Sequence, residues 1–273
     1  MKNIYVVMGG LGKNILFTSL IPSLCEKDEV ESISIITAWP YIFTPNKQVD
    51  QILPPPGWKH ESILEQFDNI IYHEPYLSNY IKDKNLHITK DWANGLGITL
   101  TNPKPSVNHT YYNNLKNDYI LSDPLTKSKY CVVQVNGGNE VYGKNINSPR
   151  DYRLDLVQQL ISKIRNQLDI DVVCFRLESE PKPSNTITFK CKREPGVLGI
   201  LPLIEKAEFV VTIDSALMHF AACTDKKTIT LWNTSQTSPE RIGYNFQTNL
   251  ICNNDIAIDI DPNIIMEKIN GTN

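Results

Sequence analysis

The chain has no apolar run approaching the roughly 20 residues that a membrane-spanning helix needs. Its opening, Met1-Lys2-Asn3-Ile4-Tyr5-Val6-Val7-Met8, gives way to glycines rather than to a cleavage site, so neither a span nor a signal peptide is expected. Without a secretory signal, the three N-x-[ST] matches at Asn108, Asn233 and Asn270 carry no weight as glycosylation sites. No C-x-x-C pair occurs: the cysteines at 25, 131, 174, 191, 223 and 252 are scattered, and Cys131, Cys174 and Cys252 lie inside apolar runs. Buried free thiols are expected there, not disulfides or a zinc site. The five histidines, at 60, 73, 87, 109 and 219, show neither H-x-x-x-H nor H-x-H spacing, so no metal is expected. Charge of one sign is lacking too. Lys and Arg number 27 against 30 Asp and Glu, a net charge of -3, and with no basic field to meet a phosphate backbone a dedicated nucleic-acid binder is excluded. Anionic small molecules stay open, because a local site suffices for them.

What is present reads as a packed α/β protein. The chain has 273 residues, 41% hydrophobic and 21% charged, and at ~150 residues per domain it suggests two domains. Ile4–Met8 reads as a strand ending at Gly9-Gly10-Leu11-Gly12, Asn14–Cys25 as a helix, and Ser32–Thr37 as a second strand, together a βαβ unit. Pro40–Pro56 reads as loop, Asn69–His73 as a short strand, and Tyr76–Leu96 as one or two helices. From Pro103 to about Lys129 the chain is polar and aperiodic, and the domain boundary belongs there. The pattern then restarts. Strands are expected at Tyr130–Val135, Asp171–Phe175, Thr186–Phe189, Glu208–Ile213 and Lys227–Trp232, and helices at Asp151–Leu168, Val197–Lys206 and Ser215–Cys223. Such alternation is that of a doubly wound parallel sheet, which binds its ligand outside the carboxyl ends of its strands.

Two segments carry candidate chemistry. Gly9-Gly10-Leu11-Gly12-Lys13-Asn14 joins a strand to a helix, where glycines let a ligand approach the backbone and free helix amides face an anion. It is not a phosphate loop, since Val7 and Asn14 stand where that pattern needs Gly and Ser or Thr, and the dinucleotide fingerprint fails at its third glycine. A plain tight turn is the competing reading. Val211-Thr212-Ile213-Asp214-Ser215-Ala216-Leu217-Met218-His219 ends a strand in a carboxylate and a hydroxyl beside a helix start, a place suited to a sugar diphosphate or to simple capping. No G-x-S-x-G elbow surrounds Ser215, so a hydrolase built on Ser215 and His219 is not supported. The polar loop after Trp232 offers hydroxyls and amides, and the loop Asn136–Arg153 carries Lys144, Arg150 and Arg153, cations for phosphate or for solvent. Glu178, closing the Cys174-Phe175-Arg176-Leu177 run, puts a carboxylate at a strand end, where a ribose could be held.

Phe209-Val210-Val211-Thr212-Ile213-Asp214-Ser215-Ala216-Leu217-Met218-His219-Phe220-Ala221-Ala222, then Leu231-Trp232-Asn233-Thr234-Ser235 and Thr237-Ser238-Pro239-Glu240-Arg241, resembles in order and spacing the donor signature of glycosyltransferase family 9, the heptosyltransferase-like enzymes of the GT-B fold. The resemblance extends to Gly9–Pro22 and to Ser148-Pro149-Arg150-Asp151-Tyr152 and is weakest over 40–128. It implies two Rossmann-like, doubly wound α/β domains facing a central cleft, with residues 1–128 on the acceptor side and 129–273 binding the nucleotide sugar. The activity it implies is metal-independent, inverting transfer of a sugar from a nucleotide-diphosphate sugar, ADP-heptose-like, to a glycan, lipid-linked or other acceptor hydroxyl. No cofactor, metal or nucleic-acid partner is implied, and the location is cytoplasmic, at the inner membrane face where the acceptor is lipid-linked.

Carried onto this chain, the donor set is Asn136, Gly137, Lys144, Arg150, Glu178, Asp214, Ser215, Ala216, Leu217, Met218 and His219. Gly9, Gly10, Gly12, Lys13 and Asn14 form the acceptor-side loop, and Lys13 and Asp214 hold the catalytic positions. Heptosyltransferases usually have Asp after the glycine matching Gly12, as the base on the acceptor hydroxyl, and this chain has Lys13. A lysine near its reference pKa of ~10.4 is protonated at pH 7 and takes no proton. Three readings stay open: nearby cations depress its pKa, or it clamps an anion while Glu74, Glu140 or Glu240 is the base, or catalysis is lost. The rival functions are accordingly a degenerate nucleotide-sugar-binding protein and a nucleotide-sugar epimerase. Pro262–Asn273 is expected to be a helix packing back across the cleft.

Overall fold

The computed structural model describes residues 2–55, 61–76, 86–100, 102–108, 119–137, 140–141, 144–145, 148–176, 180–191, 196–235 and 237–271. The chain forms two compact units, Met1–Asn108 with Glu240–Ile242, and His109–Pro239 with Gly243–Asn273. The division falls within the aperiodic stretch but ahead of residue 128. Tyr119–Leu121 pairs antiparallel with Ile187–Cys191 and so adds a strand to the second unit's sheet.

In the first unit β1 (Asn3–Val7), β2 (Ile33–Thr37), β3 (Val49–Leu53) and β4 (Asn69–Tyr72) form a parallel sheet in the order β3-β2-β1-β4. Every residue of β2 is buried, which is why Ser-Ile-Ser-Ile-Ile-Thr stands out as an apolar run. β3 lies in the segment read as loop. As an edge strand it keeps Asp50 exposed, so it carries no apolar run to find. The helix expected over 14–25 is two helices, Leu11–Phe17 and Ile21–Asp28. Pro22, with no N–H, sits in the first turn of the second, and the hydroxyls of Thr18 and Ser19 donate to the carbonyls of Ile15 and Leu16 at 2.6 and 2.8 Å across the break.

The second unit holds β5 (Tyr119–Leu121), β6 (Tyr130–Val133), β7 (Glu140–Val141), β8 (Lys144–Asn145), β9 (Asp171–Phe175), β10 (Ile187–Cys191), β11 (Val210–Ile213), β12 (Thr228–Asn233) and β13 (Thr248–Cys252). Seven of these form one sheet, β13-β12-β11-β6-β9-β10-β5, parallel except for β5, while β7 and β8 make a separate hairpin. The helix Leu154–Leu168 buries Val157, Leu160, Ile161 and Ile164 at the expected 3.6-residue period. The last helix, Pro262–Asn270, packs on its own unit: Ile265, Met266 and Ile269 join Val157, Leu160 and Ile161 in one core. Its apolar face is thereby used up.

Both sheets reverse direction once. β1, β2 and β3 step one way and β4 returns to the other side of β1; β6, β9 and β10 step one way and β11 returns to the other side of β6. Each reversal is a topological switch point, where an open α/β sheet leaves a crevice outside its strand ends.

Asp171, at the start of β9, is fully buried and accepts from the amides of Thr126 and Lys127, the Thr126 hydroxyl and Arg165. Burial alone would raise its pKa, but the hydrogen bonds and Arg165 outweigh that and hold the carboxyl below the usual range. Its contribution to stability is therefore full above the unfolded value of ~3.9 and is lost as pH falls through the lower folded value. Asp171→Asn is expected to cost about 2–3 kcal/mol at pH 7. Urea melts should show the gap from the parent chain narrowing below pH ~3.9.

Candidate functional site

In the second unit the switch point lies between β6 and β11. Past the end of β6, Gln134 donates through Nε2 to the carbonyl of Asn136 at 3.1 Å and accepts from the Ser215 hydroxyl at 2.6 Å. Past the end of β11, the Asp214 carboxylate accepts from the Thr237 hydroxyl at 2.7 Å and lies 3.6 Å from the Arg150 guanidinium. Arg150 is held by its neighbours. Asp151 accepts from the amides of Gly137 and Ser148 at 2.7 and 3.0 Å, and the Ser148 hydroxyl accepts from the Arg150 amide at 3.2 Å. A Cβ on Gly137 would stand 3.4 Å from Asp151 Oδ1, an ordinary contact, so it is the Gly137 amide rather than its missing side chain that ties this loop to the carboxylate. Asn233, at the end of β12, donates to the carbonyls of Pro149 and Asn254 and thus fixes the residue before Arg150.

Not all the expected donor residues reach this cluster. Leu217, Met218 and His219 are buried, and His219 Nδ1 bonds the buried Tyr244 hydroxyl at 2.8 Å. Their side chains serve the core because the helix Ala216–Ala222 packs that face inward, leaving only their backbone for a ligand. Asn136 and Gly137 are half-buried beside the cluster, and Lys144 lies on β8. Glu178 falls outside the described residues.

In the first unit the switch point lies between β1 and β4. Gly9 takes φ +101°, a left-handed conformation that favours glycine, and a Cβ there would meet Lys13 Cδ at 3.0 Å. The Trp39 indole donates to the Gly9 carbonyl at 3.0 Å. Asn14, expected on the ligand-facing loop, is fully buried. It donates to the Gly10 carbonyl at 3.0 Å and accepts from the Thr37 hydroxyl at 2.6 Å, fastening the turn to the end of β2.

Lys13 turns back toward β4, where its ammonium donates to Glu74 Oε2. It also lies 5.4 Å from the Trp92 ring and 5.7 Å from the Tyr76 ring, within cation–π range. Tyr72 donates to the same carboxylate oxygen at 3.1 Å, and the Tyr76 amide donates to Oε1 at 3.3 Å. Burial pushes the Glu74 pKa up, but the hydrogen bonds from Lys13, the Tyr76 amide and Tyr72 outweigh it, so Glu74 sits below the ordinary range and is ionised at neutral pH. Among the described residues these contacts include no cation of the kind that the first of the three readings of Lys13 requires, and its charge is met by a carboxylate.

Residues 198–265 match the family model described as glycosyltransferase family 9 (heptosyltransferase), a span that contains Asp214, Ser215 and Thr237. Over this span the chain is similar to family 9. Its fold is that of E. coli ADP-heptose LPS heptosyltransferase II, with a TM-score of 0.70 at 14% identity, covering 100% of this chain and 98% of that one. It is similar as well to a family 9 glycosyl transferase from Veillonella parvula DSM 2008, with a TM-score of 0.65, 13% identity and coverage of 99% and 96%. A structure of E. coli heptosyltransferase WaaC with ADP matches with a TM-score of 0.64 at 13% identity and 100% coverage of both chains. No curated protein matches by sequence. The α/β fold is thus GT-B, as the resemblance implied.

Gln134 is the member of the β6/β11 cluster that the sequence reading missed, although a lone amide closing the apolar strand read at Tyr130–Val135 marked it; Asp151, Asn233 and Thr237 lay inside the segments that carry the resemblance but had no role of their own until the fold gave them partners. Among the described cysteines, Cys25, Cys131, Cys174 and Cys223 are buried free thiols, and burial pushes Cys174 up to about 12, so it supplies no nucleophile. Among the described residues, no group of three or more His, Cys, Asp or Glu side chains is placed to hold a metal ion. No helix there is long and apolar enough to cross a membrane.

Proposed function

We propose that this protein transfers a sugar, with inversion and without a metal, from a nucleotide-diphosphate sugar of the ADP-heptose type to an acceptor hydroxyl. The donor binds the second unit. The observation that carries this reading is the cluster of Arg150, Asp214, Thr237, Ser215 and Gln134 at the β6/β11 switch point, partly inside the segment that matches family 9. A guanidinium matches diphosphate oxygens with a planar fork of donors, and a carboxylate with hydroxyl and amide neighbours suits sugar hydroxyls. As the bond to the sugar breaks, negative charge grows on the departing diphosphate, and a fixed cation stabilises that charge more than the ground state. That WaaC is seen with ADP supports adenine as the base. An acceptor oxygen that attacks from the face opposite the leaving group yields inversion.

A thermal-shift panel of ADP, UDP, GDP, CDP and dTDP with their common sugars tests the donor assignment. A ligand at 100 times its Kd adds about 2.7 kcal/mol to the native state, so a selective rise in Tm with ADP and ADP-heptose is expected. Asp214→Ala is expected to remove the part of the ADP-heptose shift that exceeds the shift with ADP while largely keeping that of ADP, and EDTA is expected to leave turnover unchanged. No shift with any member removes the reading. Lys13, in place of the family Asp, favours a second reading, a binder without transfer; that reading requires the selective shift but no ADP release with any acceptor.

A further inference from the structure

We propose that Glu74 is the general base of the transfer and that Lys13 is the residue that positions it. This rests on the transferase reading above and adds the group that takes the acceptor proton. The position after Gly12 cannot do so, because Lys13 is an ammonium already committed to a carboxylate. The carboxylate arrives from another strand. Glu74 follows β4, Lys13 follows β1, and these two strands flank the first unit's switch point, where a parallel sheet opens to a ligand.

The surroundings fit a base more than a purely structural ion pair. Lys13 is nearly enclosed, its side chain 7% exposed, whereas Glu74 keeps 15% and borders Tyr72 and Tyr76, which are 54% and 39% exposed. Lys13 and Tyr72 hold Oε2 and the Tyr76 amide holds Oε1, so the carboxylate is fixed in place and keeps its remaining exposure beside aromatic rings of the kind that stack on sugar faces. Of the other acidic candidates, Glu240 is exposed. The site's charges also bear on the acceptor, because ammonium and carboxylate cancel and a neutral hydroxyl compound fits better than an anion. Among the described residues, the charged and titratable groups facing Glu74 include Lys13 from the helix Leu11–Phe17, Tyr72 from β4 and Tyr76; next in the chain, His73 faces Asp91 of the helix Ile88–Gly95 at 4.0 Å.

In the step itself, a lone pair of the acceptor oxygen forms the bond to the anomeric carbon while Glu74 takes the hydroxyl proton. The bond from that carbon to the diphosphate oxygen breaks, and its electron pair leaves with the nucleoside diphosphate. Glu74 then releases the proton to water.

The test uses the full chain with ADP-heptose, measuring donor affinity by calorimetry and ADP release with a panel of methyl glycosides as acceptors. Glu74→Gln is expected to keep the donor Kd within about twofold and to lower kcat about 10²-fold. Glu74→Ala is expected to lose as much and to regain part of it with added formate, which a structural role would not allow. In Lys13→Met the carboxylate loses a partner that holds its pKa down, so the acidic limb of the kcat profile is expected to move to higher pH while the plateau above it recovers. Full turnover in Glu74→Gln, or an unmoved limb in Lys13→Met, overturns the assignment and leaves the transferase reading standing. Donor binding with no ADP release by the parent chain removes both.

Discussion

Arg150→Met is expected to lower kcat/KM for the nucleotide sugar by roughly 10²–10³-fold, the usual effect of removing one preorganised donor from a developing negative charge. The guanidinium is 31% exposed, near enough to the surface to meet a diphosphate, and the Ser148 and Asp151 bonds fix its backbone before any ligand arrives. Arg150→Lys keeps the charge but loses the planar fork, and only part of the activity is expected to return. Initial rates of ADP release at limiting and saturating ADP-heptose check both variants. A loss confined to KM would make Arg150 a uniform binding contact rather than one that strengthens in the transition state.

Trp232→Ala is expected to cost about 3–5 kcal/mol, as large-to-small changes in a packed core do. Trp232 is fully buried on β12, its indole donates to Asn249 Oδ1 at 2.8 Å, and a Cβ on Gly243 would lie 2.9 Å from its ring. Truncation leaves a cavity and an unpaired amide oxygen at the base of the loop that carries Thr237. The melting transition of the second unit, followed by near-UV circular dichroism, is expected to fall by roughly 6–20 °C. Trp232→Phe, which refills most of the volume but lacks the N–H, should recover more than half of that.

Much of the fold was legible because its central strands are buried on both faces. Ser32–Thr37, Tyr130–Val135 and Asp171–Phe175 read as apolar runs for that reason, and the helix at 154–168 shows its period without help from the rest of the chain. The strands that escaped notice are β3 and β13, sheet-edge strands whose pattern Asp50, Gln51 and Asn249 break, together with β5, β7 and β8, which at two or three residues are too short to show a pattern. Asp214 and Ser215 were legible as a strand end meeting a helix start. Leu217, Met218 and His219 shared the same motif, but only the direction in which the helix packs assigns them to the core.

By itself, then, the sequence determined the alternation of strands and helices, the glycine turn at Gly9, and the polar end of β11, because each is written in a window of ten or so residues. Tertiary structure alone decided the partners. Lys13 meets Glu74 across 61 residues, and Ser215 meets Gln134 across 81. Strand order sets those meetings, and strand order is chosen by the burial of whole sheets rather than by any local preference. Lys13, a lone cation in the glycine turn of the linear chain, therefore has a carboxylate beside it once β4 lies down against β1.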